Sequence, residues 1–283
     1  MSVIKLTGDS IRLKDLVTKP AKKPKDTKET IHRLQFSLLR VQQAIFREKR
    51  RVIILIEGTD TAGKGGVIRR LTRHLDPRGV RVWPIGAPDK SEQARHYLYR
   101  FWQKIPQPGE ITIMDRSWYG RVLVERVEGF AEKPEWKRAY RELLEFERQL
   151  ADDGVIILKF YLHLSKKEQL KRFMDRVKEP TKRWKLTTSD LESRQYWDQY
   201  QEAYEDMLNK TAADFAPWYA IPADNKDYAR TQILTQIDKE LSRMVNLKNI
   251  RILDAKVRTK LIEAFGEDTI LDLLGESAVA KST

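Results

Sequence analysis

Between Val52 and Gly66 a β-branched run, Val52-Ile-Ile-Leu-Ile, leads through Glu57 into Gly58-Thr-Asp-Thr-Ala-Gly63-Lys64-Gly65-Gly66. This junction constrains the fold more than any other stretch of the chain. A run so rich in Val and Ile reads as a strand buried on both faces, and such strands belong to parallel sheets covered by helices. The spacing G-x-x-x-x-G-K that follows is that of a P-loop, whose glycines let consecutive N–H groups point at phosphate oxygens while the next helix adds its positive end and the lysine bridges phosphates. Gly58, Ala62, Gly63, Lys64, Gly65 and Gly66 are therefore candidate phosphate-binding residues, and the helix is expected from Lys64 to about Leu75. The competing reading is a glycine-rich turn that binds nothing.

Two residues of the loop depart from the usual pattern. Gly65 stands where Ser or Thr normally helps hold Mg²⁺. Asp60 lies inside the loop, where an unpaired carboxylate would repel phosphate unless a cation stood beside it. Asp60 is thus a candidate Mg²⁺ ligand, against the alternative that it only accepts hydrogen bonds from loop N–H groups.

The rest of the chain supplies the alternation that such a strand needs. Apolar positions Ile31, Leu34, Leu38, Val41 and Ile45 recur at spacings of three and four, the seam of a helix over Thr30–Glu48 that packs on the core or contacts a second copy. Further strands are expected at Val80–Ile85, Glu110–Met114, Val155–Leu162 and Trp218–Ile221, five in all. Helices are expected at Ser91–Lys104, Pro134–Asp152 and Asp227–Met244. Ser165 with Glu168, and Ser189 with Glu192, read as capping boxes, the second opening a long helix to about Asn209. The result is a mainly parallel sheet with helices on both faces. Lys14 to Lys28, rich in lysine and without apolar periodicity, reads as a mobile basic tail or strap, and Ile252 to Leu274 as weakly helical.

Composition excludes several classes. The longest apolar run, Val52 to Ile56, is far short of the roughly 20 residues that cross a bilayer, so no membrane partner is expected. There are no cysteines, and His32, His74, His96 and His163 stand far apart, which disfavours disulfides and zinc. No secretory signal is visible at the start, and the cytoplasm is the expected compartment. The net charge of +13 among 283 residues favours a phosphate-rich or otherwise anionic partner.

The expected third strand runs into Asp115-Arg116-Ser117-Trp118-Tyr119-Gly120-Arg121, with Glu125 and Arg126 beyond. In a parallel sheet the carboxyl ends of strands face the ligand crevice, so Asp115 falls where a second metal-holding carboxylate belongs. Arg116 and Arg121 are candidates for neutralising a phosphoryl group in transfer, unless Asp115 and Arg116 form a structural ion pair. Between Lys166 and Lys185 nine basic residues face three acidic ones. Arg172, Arg176, Lys182, Arg183 and Lys185 are candidate phosphate binders of a helical lid at about 165–190, the alternative being a solvated basic face.

Taken together, E-G-T-D-T-A-G-K-G-G at 57–66, D-R-S-W-Y-G-R at 115–121 and E-P-T-K-R-W-K at 179–185 resemble the polyphosphate kinase 2 family, with Asp190-Leu-Glu-Ser-Arg and Ala216-Pro-Trp-Tyr continuing the likeness over about residues 30–245. The resemblance implies a P-loop kinase-like three-layer sandwich built on a mainly parallel five-stranded sheet. Residues 1–28 would be the tail or strap, 29–250 the kinase domain and 251–283 a C-terminal helical extension and tail. It implies reversible phosphoryl transfer between inorganic polyphosphate and nucleoside mono-, di- or triphosphates, with Mg²⁺ or, in its place, Mn²⁺, by a homodimer or homotetramer. By motif position it assigns catalysis to Asp60, Lys64, Asp115, Arg116 and Arg121, and the metal to Asp60 and Asp115. Gly120 departs from the more common Asn, and Glu179 and Thr181 from D-P-L-K, which bears on nucleotide preference. A nucleoside monophosphate kinase of the thymidylate-kinase type is a rival that Gly65 and Asp60 disfavour. A nucleic-acid-binding protein with a non-catalytic P-loop is a second, supported only by charge.

Overall fold

The computed structural model describes residues 3–8, 10–20, 26–248 and 255–273. The elements are β1 (Ile4–Leu6), α1 (Thr27–Arg47), β2 (Arg51–Gly58), α2 (Lys64–Leu71), β3 (Val80–Pro84), α3 (Lys90–Gln93), α4 (Tyr99–Trp102), β4 (Ile111–Asp115), α5 (Val124–Val127), α6 (Lys133–Asp152), β5 (Val155–His163), α7 (Lys166–Lys178), α8 (Thr188–Gln195), α9 (Trp197–Thr211), β6 (Trp218–Pro222) and α10 (Lys226–Met244). These belong to one compact unit ending at Val245. In the second unit, from Asn246 onward, α11 (Ala255–Phe265) and α12 (Glu267–Leu273) are helical. The expected helix at 252–274 thus appears as two, its residues 252–254 and 274 lying outside the described residues. Among the described residues no helix is long and apolar enough to cross a membrane.

The sheet has the order β1-β6-β5-β2-β4-β3. All neighbours are parallel except β1, which runs antiparallel to β6 with Ile4 opposite Ala220 and Leu6 opposite Trp218. The expectation of five strands is therefore corrected to six. Three residues are too few to show a period of two, and β1 exists because it covers the exposed edge of β6. Beyond it the chain crosses α9, where Ile11 N–H donates to Asn209 Oδ1 at 2.8 Å and Leu13 N–H to Glu205 Oε2 at 2.7 Å. Leu6 and Leu13 are buried. Residues 21–25 of the expected strap lie outside the described residues.

Successive residues of each strand face opposite sides of the sheet. Ile53, Leu55, Ile157, Tyr161 and Trp218 join the α6 residues Leu143 and Phe146 and the α9 residues Tyr204 and Met207 in one core. On the other face α1, α2 and α10 pack together and against the central strands. The α1 seam Ile31, Leu34, Leu38, Val41 and Ile45 is buried there, so it serves the chain's own core.

Two expected helices are broken. Ser91–Lys104 divides into α3 and α4, because the His96 ring accepts the Leu98 N–H at 3.4 Å and a local turn replaces the helical ladder. The box expected at Ser189 and Glu192 forms two residues earlier, between Thr187 and Asp190, and its helix stops at Gln195 before α9 begins. At the start of α7 only half a box exists: Ser165 Oγ accepts the Glu168 N–H, while the Glu168 carboxylate pairs with Arg172.

Candidate active site

The carboxyl ends of β2 and β4 lie side by side, with Ile56 in register with Asp115. At the end of β2, Gly58 has φ of 144°, and a Cβ there would meet the Leu162 carbonyl at 2.8 Å. Only glycine lets β2 leave the sheet so close to β5. The loop then turns through Thr61 (φ 65°) and Gly63 (φ 113°) into α2. Lys64 Nζ donates to the Gly58 and Thr59 carbonyls at 2.6 and 3.3 Å, which holds the ammonium over the loop. Gly58, Gly63, Lys64, Gly65 and Gly66 all line one open cleft of about 1320 Å³. Ala62 does not: it is buried, and its carbonyl accepts from Arg172.

Asp60 and Asp115 both line this cleft. Arg116, in the left-handed region at φ 66°, reaches across from β4 and donates to Asp60 Oδ1 at 3.1 Å. The ion pair thus joins Arg116 to the loop carboxylate rather than to its neighbour Asp115. The Ser117 hydroxyl turns inward and donates to Glu57 Oε1 at 2.7 Å. Burial pushes the Glu57 carboxyl up to about 7, against the lowering effects of Ser117, Lys64 and Arg116.

Three of the expected arginines are engaged with partners of the chain's own. Arg121 lies on the turn Trp118–Val122, pairs with Glu125 at 3.1 Å and Glu135 at 3.8 Å, and covers the Tyr97 ring. Two carboxylates hold it away from the cleft. Arg172 is buried with every donor nitrogen engaged: Nε on Glu168, Nη1 on the Thr61 and Ala62 carbonyls, and Nη2 on the Ala223 and Asp224 carbonyls. It lines the cleft as well, but as a strut that fastens the P-loop to the end of β6. Arg183 is exposed, donates to the Val177 carbonyl at 2.8 Å and is absent from the cleft wall. Arg176, Lys182 and Lys185 line the cleft too, Arg176 donating to the Lys185 carbonyl at 2.8 Å.

Sequence reasoning missed part of the wall. Arg69 and Arg70 on α2 and Lys226 and Arg230 on α10 form a second group of cations on it. Burial, then the charges of Arg230 and Arg69, push the Arg70 pKa down. Gathering like charges is unfavourable unless an anion answers them. The signal was available for α10, because its start follows the carboxyl end of β6. The same wall also carries apolar and aromatic side chains, Leu123, Val124, Trp197 and Tyr200. Glu57 was detectable as the acid that follows the apolar run Val52 to Ile56.

The site suits a divalent cation held partly by substrate. Among the described residues no cluster of three or more His, Cys, Asp or Glu exists, whereas Mg²⁺ typically takes one or two carboxylates and completes its shell with phosphate and water oxygens. Asp60 and Asp115, which both line the cleft, are the carboxylates that could form such a pair, and the Thr59 and Thr61 hydroxyls beside Asp60 are buried without a hydrogen-bond partner.

Residues 21–249 match the sequence model of a family described as Polyphosphate kinase 2 (PPK2). A protein of Pseudomonas syringae pv. tomato named Polyphosphate:AMP phosphotransferase is 48% identical over 192 residues, covering 68% of this chain and 39% of that protein. The chain therefore spans about two fifths of the length of that relative. An AMP/ADP-polyphosphate phosphotransferase of Meiothermus ruber is 43% identical over 210 residues, covering 74% of this chain and 78% of the relative. The crystal structure of Polyphosphate Kinase 2 from Arthrobacter aurescens TC1 superposes with a TM-score of 0.84 at 31% identity, covering 91% and 95% of the two chains.

Proposed function

Because the chain belongs to the polyphosphate kinase 2 family, we propose that it moves a phosphoryl group reversibly between inorganic polyphosphate and a nucleoside mono- or diphosphate. The observation that carries this reading is one cleft around the P-loop whose wall holds both a group of cations and apolar and aromatic side chains. Arg69, Arg70, Lys226 and Arg230 offer positive charge on α2 and α10, which suits a flexible polyanion with about one charge per phosphate, bound largely through counterion release. Leu123, Val124, Trp197 and Tyr200 offer apolar and aromatic surface for a nucleoside. Lys64, Arg116, Asp60 and Asp115 line the same cleft.

The chain's residues then have separate tasks. Loop N–H groups hold the phosphates in line, and Lys64 and Arg116 screen the charge that spreads over the transferring group. Arg172 keeps the loop in shape through the Thr61 and Ala62 carbonyls. Asp60 and Asp115 would hold Mg²⁺, or Mn²⁺, and a bound divalent ion supplies further neutralisation of phosphate oxygens. Arg176, Lys182 and Lys185 belong to a lid that limits access of water. The homodimer or homotetramer is proposed from the family alone, since the α1 seam that suggested it is buried within the chain.

The test is AMP or ADP incubated with Mg²⁺ and long-chain polyphosphate, without ATP, and the nucleotides separated by chromatography. New ADP or ATP is expected, and the acceptor consumed defines the subclass. Turnover only when ATP is supplied with a nucleoside monophosphate would transfer the reading to a thymidylate-kinase-like enzyme.

A further inference from the structure

Glu128 is an acid hydrogen-bonded by neutral hydroxyls, in a cleft lined by both cations and carboxylates. It directly follows α5, one helical turn beyond Val124, and both residues line the cleft. Its Oε1 accepts hydrogen bonds from the Tyr200 hydroxyl at 2.7 Å and the Ser193 hydroxyl at 3.1 Å. Tyr200 stands on α9 and Ser193 on α8, so one oxygen draws the end of α5, α8 and α9 together. Burial, then the bond to Glu128, push the Tyr200 pKa far up, so its phenol remains a neutral donor.

This arrangement has a chemical direction. A carboxylate repels phosphate, so Glu128 does not serve the polyanion. Two hydroxyls use the acceptor capacity of Oε1 and fix the plane of the group, while Oε2 retains lone pairs for another donor. The nucleoside part of a nucleotide carries such donors, as ribose hydroxyls or a base amine, and Leu123, Val124 and Trp197 on the wall of the same cleft suit its apolar faces.

Resting on the transfer reading above, we propose that Glu128 is a specificity-determining residue whose Oε2 accepts a hydrogen bond from the nucleoside of the acceptor nucleotide, with Tyr200 and Ser193 holding its carboxylate in position. A site built around an acceptor rejects analogues that lack the matching donor, because Oε2 is then desolvated without a partner.

The experiment compares kcat/KM at saturating polyphosphate for adenosine nucleotides and their 2′-deoxy, 3′-deoxy and inosine counterparts, in the wild type, Glu128→Gln and Tyr200→Phe. The wild type should disfavour at least one analogue by about tenfold or more, and the analogue affected tells ribose from base amine. Glu128→Gln, which keeps an acceptor for Tyr200 and Ser193, should erase that preference through KM for the nucleotide while KM for polyphosphate stays the same. Tyr200→Phe should weaken the preference. A wild type that uses all analogues equally, or a Glu128→Gln variant slowed with every acceptor in the same ratio, overturns the proposal and leaves Glu128 a structural tie. If the wild type forms no nucleotide product from polyphosphate at all, the transfer reading falls, and this proposal with it.

Discussion

Lys159 and Glu147 form an ion pair at 2.7 Å with both side chains wholly buried. Glu147 Oε1 also accepts from Trp118 Nε1 at 3.0 Å and the Tyr119 hydroxyl at 2.7 Å, and Lys159 Nζ donates to the Thr211 carbonyl at 2.8 Å. The cluster therefore ties the segment after Arg116 to α6, β5 and the end of α9. Lys159→Met leaves a buried carboxylate with only neutral donors, and Glu147→Gln aims an amide N–H₂ at a buried ammonium. Each should cost about 3–5 kcal/mol, or a fall in Tm of about 6–20 °C for a unit of this size. The double variant removes both charges and keeps a Gln carbonyl for Trp118 and Tyr119, so it should be more stable than either single one. Burial already lowers the Lys159 pKa, with Glu147 opposing that effect. Without Glu147 the unfolded state binds more protons than the folded state, so the stability of Glu147→Gln should rise with pH toward 10 and narrow its gap to the wild type. Urea unfolding of the four proteins measures the cycle. Costs that simply add would refute the argument that the stranded charge, rather than lost contacts, sets the penalty.

Lys64→Ala should remove nearly all transfer with the circular dichroism unchanged, and retained turnover would remove the P-loop from the chemistry. Arg172→Ala should lower Tm by several degrees, because four carbonyls and Glu168 lose their donor; an unchanged Tm would contradict its role as a strut. Lys182→Ala with Lys185→Ala should leave stability within about 0.5 kcal/mol while reducing the salt slope of polyphosphate binding by about one to two, and an unchanged slope would return the segment to a solvated basic face. The folded pKa of Glu57, about 7, lies above its unfolded value, so its stabilising contribution is complete below about pH 4.5 and is lost as pH rises through 7, on the order of 3 kcal/mol. Glu57→Gln should thus gain on the ligand-free wild type between pH 5 and 8.5, and a constant difference in urea midpoint would refute this.

The P-loop was legible because its function depends on local spacing: strand, glycines and lysine are consecutive in the chain. Strand and helix alternation was legible for the same reason, through periodicity. What escaped depends on partners far apart in sequence. Arg121 and Arg172 read as phosphate ligands until Glu135 and the carbonyls of Ala223 and Asp224 claim them. Arg69 and Arg230 look like ordinary surface charges until α2 and α10 bring them to one wall. The turn at His96 and the stop at Gln195 escaped because side-chain hydrogen bonds and tertiary packing override helical periodicity there.

The pairing of β1 with β6 imposes an order of events on the newly made chain. Ile4 must wait for Ala220 before it has a partner, so β1 cannot dock until β6 has been made. Contacts of such long sequence separation are slow to form, and until this one closes the edge of β6 stays open to any other extended segment. A bulky fusion ahead of β1 would lengthen that interval, and aggregation during synthesis, rather than loss of equilibrium stability, is where its effect would be felt.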